Sequence, residues 1–508
     1  MTTASELLKG SVTRVSQTFT SILVAFFMMP FLVHELGDHW YGVWTVIGSL
    51  AAAYHLFDLG MASAVTRYVS HAFSLDDSTE ANATINTALF IYIAISCGIV
   101  FITIAISFVS RLFIDSPDDK TLVQQLVLIV GLSISFELPF NALAGVPNAK
   151  LKFHQVALAR IFATLLGAAL TWYFISKGYG VLALAVITFC TARVSSILYF
   201  IICKAAFPQL RLSFRFFSKS KSKELFGYSA WSFIMAISYQ LRNNVDNFVI
   251  AAFLSASSVT HYAIGLRLVD YLAQFLNQAT NMFLPIFTSY HAQDNRELLH
   301  QKLLFITRIN LLLAMIASGG LIIFGSAFID RWMGPDFQDA YWVMVVLVIG
   351  RMIDIVNTPL KSAMLAASKH NIVAKADIVD VTLNVPLSII LVHYYGILGV
   401  AMGTLIPMVA LHLIVLPIYG CRSIELPVFT FYRSMLRPMV AVIPIIGLTF
   451  YSMTTVAPET YTDILVFGSV MALLCVVSGV IFGFSNQEKS DLQKLIPRRL
   501  INLIPSNR

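Results

Sequence analysis

Apolar residues form long stretches along the chain, and most charged residues fall in the short segments between them. A helix needs about 20 apolar residues to cross a bilayer, so we interpret the pattern as about 14 membrane spans. The sequence therefore predicts an all-α polytopic membrane protein. The predicted spans begin near Ser11, Tyr41, Ala81, Leu122, Gln155, Val181, Glu224, Thr260, Lys302, Ala340, Asn371, Leu398, Tyr432 and Tyr461.

The predicted span from Thr260 to Phe287 differs from the others because it carries polar residues on one face. They recur every three or four positions, which places them on one stripe of a helix. A charged side chain at the centre of a bilayer costs roughly 3 kcal/mol, so the stripe should line a water-filled cavity. Its members are Arg267, Asp270, Tyr271, Gln274, Asn277, Gln278 and Asn281.

Composition agrees with a membrane protein, because 57% of the residues are hydrophobic and only 12% are charged. The loops alternate between basic and acidic or neutral ones. Since short cytoplasmic loops are enriched in Lys and Arg, both termini are expected in the cytoplasm. The net charge of +7 thus reflects membrane topology, and no nucleic-acid partner is expected.

Two distant parts of the chain resemble each other. Tyr179 to Ala185 reads YGVLALA, and Tyr395 to Ala401 reads YGILGVA. A six-span unit used twice enters the membrane from the same side each time, which predicts two parallel repeats forming an N-lobe and a C-lobe. The predicted divisions are an N-lobe at 1–206, a basic linker at 207–223, a C-lobe at 224–421, two extra C-terminal spans within 432–484, and an amphipathic cytoplasmic tail at 485–508.

Several motifs, in their order along the chain, resemble the polysaccharide flippase branch of the multidrug/oligosaccharidyl-lipid/polysaccharide exporter superfamily. They are LGDHWYGVW followed by FDLGMASAVTRYVS, then PFNALAGVPNAKLKFHQVALARI, then DNFVIAAFL with YAIGLRL. The resemblance covers nearly the whole chain and implies two six-helix lobes plus two extra helices.

The same resemblance implies a function. Proteins of this O-antigen type move undecaprenyl-diphosphate-linked oligosaccharide repeat units from the cytoplasmic to the periplasmic leaflet of the bacterial inner membrane. The implied partners are that lipid-linked oligosaccharide, the bilayer, and the polysaccharide polymerase and ligase machinery. Alternating access is the expected mechanism.

Charged and polar residues inside the spans are the candidate site residues. Arginines bind phosphate through paired hydrogen bonds, and amides bind hydroxyl groups. The candidates for binding diphosphate and sugar are Arg14, Arg67, Arg242, Arg267, Tyr271, Gln274, Asn277 and Gln278. The carboxylates that are candidates for ion coupling or counter-charge are Asp58, Asp246, Asp270, Asp354 and Asp377.

Coupling to H+ or Na+ is expected to use these carboxylates, and no cofactor or metal site is expected. The five cysteines lack the spacing of metal ligands.

Three alternatives stay open from the sequence. A lipid II exporter of the same superfamily is disfavoured because the arginine-rich pattern of that branch is missing from the first span. A multidrug exporter of cations would favour an anionic cavity, whereas this chain has several intramembrane arginines. A membrane polysaccharide polymerase or ligase would be an enzyme with a sizeable extracytoplasmic loop, and the predicted outward loops are short. The sequence therefore predicts a transporter rather than an enzyme.

Overall fold

The computed structural model describes residues 3–110, 117–280, 284–456 and 458–495. Over this part of the chain the structure consists of helices, turns and short connections, without strands. The chain divides into two compact units, Met1–Thr260 and His261–Arg508. This division falls within the predicted C-lobe rather than at the basic linker. The boundaries of the two predicted lobes remain a prediction about the repeat.

The N-terminal unit is built from seven helices and the start of an eighth. Its short connections include a one-turn 3-10 helix, His55–Asp58, before α2. The helices are α1 (Thr3–Tyr54), α2 (Met61–Ser74), α3 (Ser78–Val109), α4 (Pro117–Ala149), α5 (Phe153–Ile175), α6 (Gly180–Ala206), α7 (Lys219–Phe253) and α8 (Ala256–Thr280), which continues into the second unit.

Helix α1 is too long for a single crossing. Its 52 residues would extend about 78 Å as a straight helix, against a hydrocarbon core of about 30 Å. The backbone leaves the helical conformation at Gly37, where φ is 77°. Glycine tolerates this left-handed φ without steric cost. The break separates the segments predicted as the first and second spans.

The core of the N-terminal unit lies where α3 and α4 pack along their length. Tyr92, Leu126 and Leu138 are fully buried there. A side chain at Gly131 of α4 would collide with Thr103 of α3, so the missing side chain lets the two helices approach closely. Small residues serve the same purpose in other membrane helix pairs.

The C-terminal unit contains the rest of α8 and eight further α-helices. Two π-helical segments, Val409–Val415 and Gly479–Gly483, interrupt its regular helices. The helices are α9 (Leu284–Ala292), α10 (Arg296–Trp332), α11 (Gln338–Ala366), α12 (His370–Met408), α13 (Leu416–Ser423), α14 (Val428–Met453), α15 (Tyr461–Ser478) and α16 (Asn486–Leu495).

The C-terminal tail begins as predicted, with a helix rich in polar residues, α16. Glu488 of this helix forms an ion pair with Arg308 of α10, and both side chains are about 15% exposed. Arg308 also donates to the Ser434 carbonyl of α14 at 3.0 Å. The first part of the tail is therefore fastened to the C-terminal unit, and residues 496–508 lie outside the described part.

In the described residues, ten helical segments are long and apolar enough to cross a membrane. Two of them, Lys9–Ser74 and Asn371–Ser423, each include two predicted spans. The helices α7 and α8 are missing from the ten because polar residues interrupt them. The polytopic all-α class is confirmed, whereas the count of fourteen spans remains a prediction.

Backbone irregularities recur at the offset of the sequence repeat. Positive φ angles occur at equivalent places in three loops or helix breaks, each pair separated by 216 to 218 positions. The residue after Asp76 caps α3 and the residue after Asp294 caps α10. These similarities support the predicted duplication. The pairs are Asp76 and Asp294, Leu151 and Ser368, and Gly180 and Gly396.

Candidate functional site

Helix α8 carries the polar stripe that the sequence predicts. Arg267 and Gln274 are exposed, and Tyr271 and Asn277 are half-buried. These positions lie three, four or seven residues apart, so they occupy one face of the helix. The side chain of Gln278, and Asn281 as a whole, lie outside the described residues. Four predicted members of the stripe are thus accessible, at least in part, on one helix face.

Arg267 has the properties of an anion-binding residue. It is exposed, and it forms no ion pair with any residue that the structure describes. A guanidinium that faced lipid within a span would be costly, so water is its favourable surrounding. Arg267 can therefore offer its hydrogen-bond donors to a ligand from the aqueous side.

Asp270, three residues further along α8, binds a basic residue of α11. Its Oδ1 lies 3.2 Å from Nη2 of Arg351. Arg351 Nη1 lies 3.7 Å from Asp354 Oδ2, and Lys361 Nζ lies 2.7 Å from Asp354 Oδ1. The four side chains are only 17–24% exposed. A chain of alternating charges thus joins α8 to α11.

The chain of charges continues to a buried histidine. His412 has an exposure of 0%, and its Nδ1 lies 3.3 Å from Asp354 Oδ1. Its Nε2 lies 3.9 Å from Oδ2 of Asp380, which is also buried. The carbonyl of His412 accepts a hydrogen bond from the Asn357 side chain at 2.7 Å. His412 belongs to the π-helical segment Val409–Val415, and π-helical segments in other proteins often occur at functional sites.

We call this group the C-terminal charge cluster. It contains three carboxylates and two strongly basic side chains, together with one imidazole. With a neutral imidazole, the cluster has one negative charge in excess, which is unfavourable away from water. The cluster is therefore suited to accepting one further positive charge. Its members are Asp270, Arg351, Asp354, Lys361, Asp380 and His412.

The structure brings two predicted coupling carboxylates, Asp270 and Asp354, into this cluster. Asp377 of α12 is half-buried, and Asp380, one turn further along, is the carboxylate beside His412. The sequence interpretation did not select His412. A histidine within an apolar stretch was the available signal, because ionisable residues inside membrane spans are rare and often functional.

In the N-terminal unit, Asp58 ends the 3-10 helix before α2. Leu59 and Gly60 follow with φ angles of 53° and 72°, so the chain turns sharply there. The hydroxyl of Tyr92 on α3 donates to Asp58 Oδ1 at 2.5 Å. Tyr92 is fully buried. Asp58 is therefore bonded to a neutral hydroxyl group, which the sequence interpretation did not foresee.

The remaining predicted residues lie on other helices of the N-terminal unit. Arg14 and Arg67 are exposed, and the Arg14 guanidinium lies 4.2 Å from the centre of the Phe153 ring. On α7, Arg242 is half-buried and Asp246 is buried. Their role in substrate binding or coupling stays a prediction.

The sequence comparison decides the family. Residues 40–342, more than half of the chain, match the sequence model of a family described as "Polysaccharide biosynthesis protein". The chain belongs to this polysaccharide biosynthesis family. A relative, the putative O-antigen transporter of Shigella flexneri, is 22% identical over 406 residues, covering 78% of this chain and 94% of the relative.

Solved structures establish the type of fold. The lipid II flippase MurJ in its inward closed conformation has a TM-score of 0.70 and 16% identity, covering 92% of this chain and 98% of that chain. A multidrug resistance transporter of the MATE family, from the MOP superfamily, has a TM-score of 0.65 and 14% identity, covering 82% and 98%. At these identities the likeness shows the fold alone. The predicted superfamily resemblance is confirmed, and the similar proteins are named as transporters or flippases, as expected for a protein that is not an enzyme.

Proposed function

We propose that this family member is a flippase for undecaprenyl-diphosphate-linked oligosaccharide repeat units. It would move them from the cytoplasmic to the periplasmic leaflet by alternating access, for the synthesis of O-antigen or another surface polysaccharide. The observation that carries the proposal is the exposed Arg267 on the polar face of α8.

The polar face of α8 fits the chemistry of a lipid-linked sugar. The polyprenyl chain is compatible with lipid, but the diphosphate and the sugar hydroxyls need a polar path. Arg267 can bind phosphate oxygens through two parallel hydrogen bonds. The amides of Gln274 and Asn277 can both donate to and accept from hydroxyl groups, and Tyr271 offers a ring against which a sugar can pack.

The C-terminal charge cluster is the proposed site of ion coupling. Asp270 lies one turn from Arg267 on α8 and is also bonded to Arg351 of α11 at 3.2 Å. A change of charge in the cluster therefore acts on the same helix that carries the substrate-binding face. The coupling ion would be H+ or Na+, taken up by the carboxylates and the imidazole. Asp58, Asp246 and Asp377 remain further candidates.

The proposed location is the bacterial inner membrane, with both termini in the cytoplasm. The flipped repeat unit would then serve as the substrate of a polysaccharide polymerase or ligase on the periplasmic side. A multidrug exporter of cations is a poorer fit, because an exposed arginine repels cationic drugs. A lipid II exporter would share the diphosphate chemistry, so the substrate itself must be tested.

The experiment measures lipid-linked intermediates in a strain that lacks this gene. We expect undecaprenyl-diphosphate-linked repeat units to accumulate on the cytoplasmic side, while the amount of lipid II stays unchanged. Purified protein in liposomes should move the repeat unit between leaflets, and unrelated cationic drugs should not compete. Accumulation of lipid II alone, or normal export of polysaccharide, would contradict the proposal.

A further inference from the structure

The basic linker is held firmly against helix α3 by two asparagine side chains. Asn82 accepts a hydrogen bond from the N–H of Arg211 at 2.8 Å and donates to the carbonyl of Gln209 at 3.3 Å. Asn86, one turn later, donates to the carbonyl of Arg211 at 2.8 Å and accepts from the N–H of Ser213 at 2.9 Å. Each amide therefore satisfies two backbone groups of the linker.

The spacing of these amides explains why the linker is extended. Residues four apart on a helix are separated by about 6 Å along the axis, and alternate residues of an extended chain by about 6.6 Å. Asn82 and Asn86 therefore pair with the linker much as a neighbouring strand would. A third bond follows, from the N–H of Ser218 to the Thr87 hydroxyl at 3.0 Å. The linker has a defined conformation although it contains little regular structure.

These bonds place the linker beside the first turns of α3 rather than beyond its end. Helix α3 has 32 residues and is therefore about 48 Å long, against a hydrocarbon core of about 30 Å. Its first turns consequently extend through the headgroup region. The ring of Phe214 packs against Phe90 of α3, with centroids 4.6 Å apart. The linker thus lies at the depth of the membrane surface.

The exposed side chains of the linker are a mixture of apolar and basic ones. Phe214 is 69% exposed, Leu212 48% and Phe217 39%, while Arg211 and Arg215 are also exposed. The segment 207–223 contains no acidic residue. Aromatic side chains favour the membrane interface, and basic side chains are attracted to the anionic lipids of the cytoplasmic leaflet.

We propose that the basic linker is a docking surface for anionic phospholipid headgroups of the cytoplasmic leaflet. Leu212, Phe214 and Phe217 enter the boundary of the acyl chains, and Arg211 and Arg215 bind the lipid phosphates. Bulk phospholipid fits better than the single diphosphate of the substrate, because the basic side chains are spread along an extended segment with apolar residues between them. The inference does not depend on which substrate is transported.

The first test measures the depth of the linker in a bilayer. Leu212→Cys is spin-labelled in a variant whose exposed Cys97 and Cys190 are replaced by serine, and the full protein is placed in nanodiscs of phosphatidylcholine and phosphatidylglycerol. We expect the label to be more accessible to oxygen than to a water-soluble nickel complex. Ser220→Cys, at an exposed polar position of the linker, is the control and should show the opposite. Preferential access of nickel at Leu212→Cys would overturn the proposal.

The second test measures lipid preference. The variant Arg211→Gln/Arg215→Gln should retain less phosphatidylglycerol after purification from mixed nanodiscs, by roughly fivefold for each lost charge. The matched control, Lys369→Gln/Arg422→Gln, removes two exposed charges elsewhere in the chain and should retain the wild-type amount. Equal losses in both variants, or no loss in the linker variant, would overturn the proposal. Loss of a protein partner with unchanged lipid would also do so.

Discussion

His412 Nδ1 lies 3.3 Å from Asp354 Oδ1 inside the C-terminal unit, and the imidazole is completely buried. This contact connects the π-helical segment after α12 with α11. It also extends a chain of charges that begins at Asp270 on α8, next to the proposed substrate-binding face. The position of His412 therefore gives the intramembrane charges of this unit a common structural role.

Lys361 is expected to be essential for the stability of this cluster. The change Lys361→Met leaves Asp354 with less positive charge, because it removes an ion pair of 2.7 Å. Breaking a buried pair on one side costs about 3–5 kcal/mol, and this pair is slightly exposed, so we expect a loss near the lower value. Thermal unfolding of the purified protein measures the change.

The double variant Asp354→Asn/Lys361→Met is the control for that prediction. Removing both charges leaves no uncompensated carboxylate at this position, so its stability should be higher than that of Lys361→Met alone. If the double variant were less stable than the single one, the pair would not be the source of the effect. Lys369→Met, at an exposed position, should unfold like the wild type.

Tyr92→Phe should destabilise the N-terminal unit. The change removes the hydroxyl that donates to Asp58 at 2.5 Å, and hydrogen bonds to charged groups contribute about 1.5–3 kcal/mol. A lower unfolding temperature at unchanged expression is the expected result. Tyr68→Phe, on the neighbouring helix α2, removes a half-buried hydroxyl without touching Asp58. Equal shifts for both variants would show that the Asp58 bond has no special weight.

Asn86→Ala should loosen the basic linker. The variant loses two hydrogen bonds to the linker backbone, at 2.8 and 2.9 Å, which together contribute about 1–3 kcal/mol. Trypsin should then cleave after Arg211 or Arg215 about tenfold faster, because cleavage follows the population of the opened segment. Ser96→Ala, also buried on α3, should keep the wild-type rate. An unchanged cleavage rate in Asn86→Ala would mean that other contacts hold the linker.

The sequence predicted the class of fold because long apolar stretches have few alternatives in a bilayer. It also placed Arg267 and Asp270 on one helix, since the spacing along α8 is local information. The partners of Asp270 were not predictable, because Arg351 lies far along the chain on α11. Likewise, only the folded chain shows that the hydroxyl of Tyr92 reaches Asp58.

The most direct test of the proposed function replaces Arg267. In a strain that lacks the gene, Arg267→Ala and Arg267→Lys are expressed at matched membrane levels, with Arg422→Ala as the control at an exposed position. We expect Arg267→Ala to abolish export of surface polysaccharide, with lipid-linked repeat units accumulating on the cytoplasmic side, and Arg267→Lys to restore part of it. Normal export by Arg267→Ala, at wild-type stability, would contradict the assignment of the α8 face as the substrate path.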